Sequence, residues 1–201
     1  SNLFKFLHDN GAKIKEITIP HYEISLSAYY VLSPAEASSN LGRFDGIKYT
    51  KRDKDAYKLD EILSNSRTKY FGPEVKRRIM LGNFVLSSGY FDAYYTKSKK
   101  IKSLLKQEVI DAFKDIDAIL MPTTYGEAFK IGEKSKDPVS MYAEDMFTIF
   151  ANLTEVPAIS VPFAKGENGM PLGLQILGKH FEESTIIGFA NFIEKNYKEN
   201  A

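Results

Sequence analysis

Apolar positions along the chain fall into two patterns. Four short runs, at 14–19, 117–121, 158–163 and 172–177, read as buried strands. The last three are nearly continuous and do not alternate, as expected of strands covered on both faces, and long helical stretches separate them. The pattern predicts an α/β fold with a mixed or parallel, largely buried sheet covered by helices on both faces. Helices announce themselves by spacing and by their ends. Leu3, Phe4, Phe6 and Leu7 recur at helical spacing before a stop at Asp9, Asn10 and Gly11. Ser33, Pro34 and Glu36 form a capping-box pattern with proline at the first helical position, which predicts that one helix ends near Leu32 and another runs to Leu41. Gly72 and Pro73 open a helical region expected to reach about Phe113, and Asp137 with Pro138 opens one expected to reach about Leu153. Residues 48–60 are the one strongly polar stretch resembling an excursion or lid, and no internal repeat is visible. The chain reads as beginning inside a helix that leads into a strand. A helix of about two turns is marginal alone, so the chain, residues 1–201, reads as truncated at its N-terminus, part of a single longer domain, with a short N-terminal helix as the alternative.

Composition changes this picture little. With 201 residues, 43% hydrophobic and 26% charged, the chain can bury a sizeable core. A net charge of +1 provides no global field toward a polyanion or a membrane surface. There is no cysteine, and His8, His21 and His180 lie far apart, which removes disulfides, thiol chemistry and the usual zinc spacings. The apolar runs are too short to span a bilayer and no leader pattern is present, so a cytoplasmic compartment fits.

Two charges fall on apolar faces. In the helix after Pro73 the stripe is Val75, Ile79, Gly82, Leu86 and Gly89, and Arg78 lies on it, whereas Arg77 sits about 100° round the helix and can reach water. The glycines leave room beside Arg78. In the helix after Pro138 the stripe is Tyr142, Ile149 and Leu153, and Asp145 falls on it, whereas Glu144 and Glu155 can be solvated. A charge removed from water costs several kcal/mol unless paired and hydrogen-bonded. One explanation is a structural salt bridge. The other is a site for a zwitterion, with arginine holding a carboxylate through two parallel hydrogen bonds and aspartate accepting from an ammonium, the head group of an α-amino acid.

At these positions a resemblance enters. Tyr29-Tyr30-Val31-Leu32-Ser33-Pro34-Ala35-Glu36-Ala37-Ser38-Ser39-Asn40-Leu41, followed by Arg43-Phe44-Asp45-Gly46, closely resembles a segment of the A subunits of tRNA-dependent amidotransferases, the glutamyl-tRNA(Gln) and aspartyl-tRNA(Asn) type within the amidase-signature family. The likeness continues from Lys76 to Gly82 and from Leu86 to Tyr95, then at Pro122-Thr123-Thr124, 128–132, Asp137-Pro138 with Met141-Tyr142-Ala143, and Asn152-Leu153. Residues 156–162 and 169–178 resemble the wider family as well. The resemblance implies the amidase-signature fold, C-terminal portion. It further implies that Tyr29, Arg78 and Asp145 contact free glutamine, with Arg78 on the carboxylate and Asp145 on the ammonium. The implied assembly is a cytoplasmic complex with B and C subunits. There the A subunit hydrolyses glutamine, and the ammonia passes to the B subunit, which uses ATP and Mg to activate the Glu or Asp of a misacylated tRNA. The A subunit itself would need no cofactor. Tyr125, Phe150, Thr154 and Glu155 depart from the pattern, standing where proline or small residues are expected.

Hydrolysis in this family resembles serine-based acyl transfer by a Lys, a Ser and a nucleophilic Ser in a Gly-Gly-Ser-rich setting. No such segment occurs here. Ser38-Ser39 and Ser87-Ser88 fall within predicted helices and read as small packing residues, and His180 reads as a surface-loop residue. No catalytic residue is therefore assigned, and the chain alone is expected to be inactive. Lys97, Lys99, Lys100, Lys102 and Lys106 read as a solvated helix face and not as a tRNA contact. A stand-alone amidase-signature hydrolase acting on another amide, and a non-catalytic binding domain, remain as alternatives.

Overall fold

The sheet is built around a hairpin. Strand β2 (Ala158–Lys165) returns as β3 (Pro171–Gly178) after five residues, and β1 (Ala118–Pro122) pairs on the other side of β3, giving the order β1-β3-β2. Both pairings are antiparallel, with Ile159 opposite Ile176 and Leu120 opposite Ile176 across the central strand. The α/β class is as the sequence predicts; the sheet is buried mainly along 174–178 of β3 while β2 exposes Ala158, Ser160 and Pro162, and the strand directions are not those its continuous apolar runs suggested. A five-residue connection cannot make the crossover that parallel pairing needs, and β3, apolar apart from Gln175, is buried over 174–178 because it is the central strand.

The computed structural model describes residues 2–133 and 138–197. They form two compact units, Ser1–Leu26 with Ile101–Ala201, and Ser27–Lys100. In the first unit, α1 (Asn2–Asp9) and α8 (Glu183–Asn196) cover one face of the sheet. Leu3 and Leu7 from α1, and Ile186, Ala190 and Ile193 from α8, meet Val161, Leu174 and Ile176 of the strands in the core. The spacing of the α8 residues is that of one helical face. Phe6 stacks on Phe192 with ring centroids 5.8 Å apart and so ties the two helices together.

Residues 12–19, expected to hold a strand at 14–19, are irregular instead. Ile14 is 47% exposed, and the segment joins no strand ladder among the described residues. A β-type sequence becomes a strand only where a neighbour accepts its backbone hydrogen bonds.

The second unit holds α2 (Ser25–Asn40) for most of its length, α3 (Leu59–Tyr70), α4 (Pro73–Val85) and a π-helical turn, Phe91–Thr96. The expected break at Leu32 is absent: α2 runs through Pro34. A proline inside a helix removes one backbone bond and costs about 3 kcal/mol, but Pro34 is fully buried and Ala28 and Ala35 are each 1% exposed, so packing holds the helix together. The region after Pro73 is the reverse case. One helix to about Phe113 is predicted, but the chain turns at 86–90 before the π-helical turn and α5 (Lys97–Ala112). Ser87, Ser88 and Gly89 are poor helix formers, and the Ser87 hydroxyl donates to the Phe84 carbonyl at 2.7 Å. Ser87 and Ser88 therefore lie outside the helices, whereas Ser38 is buried in α2 as expected and donates to Ala35 O at 2.9 Å.

The polar excursion at 48–60 is tied down through one residue. Asp53 is buried, its N–H donates to Ser66 Oγ at 3.0 Å, and its carboxylate accepts from Lys69 Nζ at 3.2 Å, both on α3. The Lys69 ammonium holds the Asp53 carboxyl below its ordinary range.

Candidate functional site

Arg78 lies on the face of α4 that also carries Val75, Ile79 and Gly82 and is half-buried, whereas Arg77, one residue away, is exposed. The register read from the sequence is therefore correct for this pair. Arg78 Nε donates to Glu74 Oε1 at 3.0 Å, one helical turn back, and Arg77 binds the other oxygen of the same carboxylate. Of the two glycines expected to make room beside Arg78, Gly82 packs tightly and Gly89 faces open space. Tyr29 is half-buried on α2, with its ring edge-on to Tyr30 at 5.2 Å.

Asp145 belongs to the other unit and has a different local structure from the one predicted. The expected helix from Asp137 to Leu153 begins at a residue outside the described ones and is two helices, α6 (Pro138–Ala143) and α7 (Thr148–Thr154), with a turn at 144–147. Glu144, Asp145 and Met146 donate from their N–H groups to the carbonyls three residues back, each at 3.2 Å. These short-range bonds tighten the chain before Ile149 N–H, bonding to Asp145 O at 3.0 Å, restores the α-helix. Asp145 is thus in a turn, not on a helical stripe, but it is half-buried, as an inward charge should be; Glu144, expected in water, is half-buried too.

The carbonyls of this turn are taken up one after another. Thr148 Oγ1 donates to Asp145 O at 3.2 Å, the Tyr22 hydroxyl to Met146 O at 3.3 Å, and Gln175 Nε2 to Phe147 O at 3.1 Å. Tyr22 comes from the short helix ahead of α2 and Gln175 from the central strand, where it is only 4% exposed. Burial pushes the Tyr22 phenol above its ordinary range, which keeps it a donor. Sequence reading missed both residues. Gln175 is the one polar side chain in an otherwise apolar strand and is the signal that could have revealed this contact.

A second charged cluster closes α7. Glu155 caps that helix in the left-handed conformation, φ 61°, where glycine or asparagine is usual. Lys102 and Lys106 of α5 both grip its carboxylate, with Lys102 Nζ at 2.8 Å, and His180 hydrogen-bonds its carbonyl at 2.6 Å. The five lysines therefore do not share one role: Lys97, Lys99 and Lys100 are exposed as predicted, and Lys102 and Lys106 are half-buried partners of Glu155. His180 lies in an exposed surface turn, as expected. The two ammonium groups lower the Glu155 pKa to about 2.

A carboxyl depressed in the folded state stabilises the protein above its unfolded pKa and loses that contribution as pH falls through the folded value. For Glu155 the window runs from the ordinary 4.5 down to about 2. At pH 7, Glu155→Gln should cost about 0.5–1 kcal/mol, the range of partly exposed pairs. The difference from the parent chain should vanish as pH falls through that window, as read from urea midpoints across the titration.

The amidase family profile matches residues 1–187. The A subunit of the glutamyl-tRNA(Gln) amidotransferase of Koribacter versatilis (strain Ellin345) is 50% identical over 184 residues, covering 92% of this chain and 38% of the relative. The A subunit of the Bacillus cytotoxicus glutamyl-tRNA(Gln) amidotransferase is 51% identical over 191 residues, covering 95% of this chain and 39% of the relative. The crystal structure of the glutamyl-tRNA(Gln) amidotransferase A subunit from Thermotoga maritima superposes with a TM-score of 0.72 at 39% identity, over 100% of this chain and 38% of that one. The chain spans about two fifths of the length of the relatives it matches. Among the described residues no helix is long and apolar enough to cross a membrane.

Proposed function

The chain belongs to the amidase family, and on that footing we propose that it is the substrate-holding portion of a glutamine-hydrolysing A subunit of a tRNA-dependent amidotransferase. The likeness to such subunits along almost the whole chain carries the reading. Arg78 takes the glutamine carboxylate, Asp145 accepts from its ammonium, and Tyr29 contacts the substrate. The chemistry of the two charges suits the head group: a guanidinium gives two parallel donors, and an ionised carboxylate only accepts. The complete A subunit acts with the B and C subunits. Its ammonia is passed to the B subunit, where ATP and Mg activate the Glu or Asp carried by a misacylated tRNA. This reading assigns the Lys and two Ser residues that cleave the amide to the rest of the A subunit, so the chain alone is expected to be inactive.

The ion pair between Arg78 and Glu74 favours a second reading, in which Arg78 is structural and the enzyme is an amidase acting on another amide. One variant separates the two. In the complete A subunit, Arg78→Ala should raise the KM for glutamine about tenfold to a hundredfold, the loss of a charge-assisted contact. A melting temperature lowered with KM unchanged would instead assign Arg78 to the helix alone. Glutamine hydrolysis by the isolated 201-residue chain would contradict the assignment of the catalytic groups to the rest of the protein.

A further inference from the structure

The turn that carries Asp145 has an unusual amount of side-chain support. Three consecutive carbonyls, those of Asp145, Met146 and Phe147, each accept from a side chain, and the donors come from three separate elements: Thr148 on α7, Tyr22 on the short helix Tyr22–Ile24, and Gln175 on β3. Two of these donors are distant in sequence, 124 residues for Tyr22 and 28 for Gln175. Helix-to-helix turns do not require this. A turn of this length can satisfy its carbonyls with water, and a buried glutamine in a central strand costs free energy unless its amide is used. Gln175 is only 4% exposed on the central strand, on the face opposite Leu174 and Ile176, and donates to the carbonyl two residues beyond Asp145.

We propose that Tyr22 and Gln175 are positioning residues that fix the Asp145 turn, and thereby the carboxylate that meets the substrate ammonium. The inference rests on the reading of Asp145 given above and adds two residues that do not themselves touch substrate. The Tyr22 hydroxyl holds the carbonyl one residue beyond Asp145 and the Gln175 amide the next, so the peptide units following Asp145 are tied to both the short helix and the sheet. The Tyr22 ring in turn leans on the buried Phe150 ring, with centroids 5.0 Å apart, which fixes the hydroxyl's direction. A carboxylate on a turn held in this way is pre-organised, so less conformational freedom is lost when the ligand binds. Displacing it by about 1 Å weakens a charge-assisted contact steeply.

The test uses the complete A subunit with two substrates: glutamine, and 4-carbamoylbutanoate, which is glutamine without its ammonium. Gln175→Met keeps the length of the side chain and removes the donor; Tyr22→Phe removes only the hydroxyl. Each should raise the KM for glutamine about threefold to tenfold, with kcat within about twofold. Each should leave the KM for 4-carbamoylbutanoate unchanged, because that substrate has no group for Asp145 to hold. In an Asp145→Ala background, neither change should raise the glutamine KM further. Damage that is merely structural predicts equal losses on both substrates, and that result overturns the proposal. It is also overturned if Asp145→Ala raises the glutamine KM while Gln175→Met and Tyr22→Phe do not, an outcome that leaves the reading of Asp145 intact. If Asp145→Ala has no effect on glutamine, the substrate reading itself fails and the positioning role fails with it. Should Gln175→Met not fold, Tyr22→Phe decides the same question through the neighbouring carbonyl.

Discussion

Gly82→Ala is expected to destabilise the unit spanning residues 27–100 by about 3 kcal/mol, at the upper end of what overpacking costs. A β-carbon at Gly82 would lie 2.6 Å from Ser38 Oγ and 2.7 Å from the Pro34 carbonyl carbon, and closer still to the Pro34 carbonyl oxygen. A side-chain hydroxyl can turn away. The Pro34 carbonyl cannot, because it is backbone within a buried part of α2. The two helices must therefore separate, and contacts along both are lost. Helix propensity works in the opposite direction, since alanine is better than glycine within a helix by about 1 kcal/mol. The measurement thus has a sign: hydrogen exchange of the α2 and α4 amides, or a urea midpoint, should show net loss. A gain of about 1 kcal/mol would mean that propensity alone acts and that α2 and α4 are not in contact at this point. Gly82→Val should be worse still, because its branch adds volume on the same side.

How far this contact could be read from sequence illustrates a general limit. The stripe of Val75, Ile79 and Gly82 placed Gly82 and Arg78 on one face correctly, because helical periodicity is a local property of the chain. The same reasoning put Gly89 on that stripe, and it failed there because Ser87 turns its hydroxyl to Phe84 O and the helix has already ended. Pro34 shows the converse. Its local signal is a helix start, yet the helix continues, since Pro34 is fully buried in packing that includes the close approach of Gly82 from another element. The missing strand at 14–19 and the antiparallel sheet have one cause: pairing is a relation between segments, and no single segment states its partner. For the candidate site, residue types were legible and support was not. Arg78 and Asp145 stand out as charges in apolar settings, but the turn around Asp145 is made by Tyr22 and Gln175, whose roles depend on where β3 and the short helix meet it.

Phe150→Ala is expected to have the largest effect on stability of any change considered, about 3–5 kcal/mol, as for other buried aromatic truncations. Phe150 is 0% exposed, and its ring faces that of Tyr22 at 5.0 Å and an interplanar angle of 59°. Phe150 also stands where the resemblance leads one to expect proline or a small residue. The structure accounts for it: α7 buries Ile149, Phe150 and Leu153 together, and the ring fills the space beside Tyr22. Removing it leaves a cavity that the flanking residues can close only in part, and removes an aromatic pair contributing about 0.5–1.5 kcal/mol. Phe150→Leu keeps most of the buried surface and loses mainly the ring pair, so its cost should be nearer ~1 kcal/mol. The double variant with Tyr22→Ala should cost less than the sum of the two single changes, because each removes the same ring contact. Urea unfolding with an unchanged slope would place the loss in the folded state. A Phe150→Ala cost below about 1 kcal/mol would show that the ring is not the packing anchor its full burial implies. With domain stabilities of about 5–15 kcal/mol, a loss of the expected size removes a large part of what holds this unit together, and with it the ring contact that supports the Tyr22 hydroxyl where it meets Met146 O.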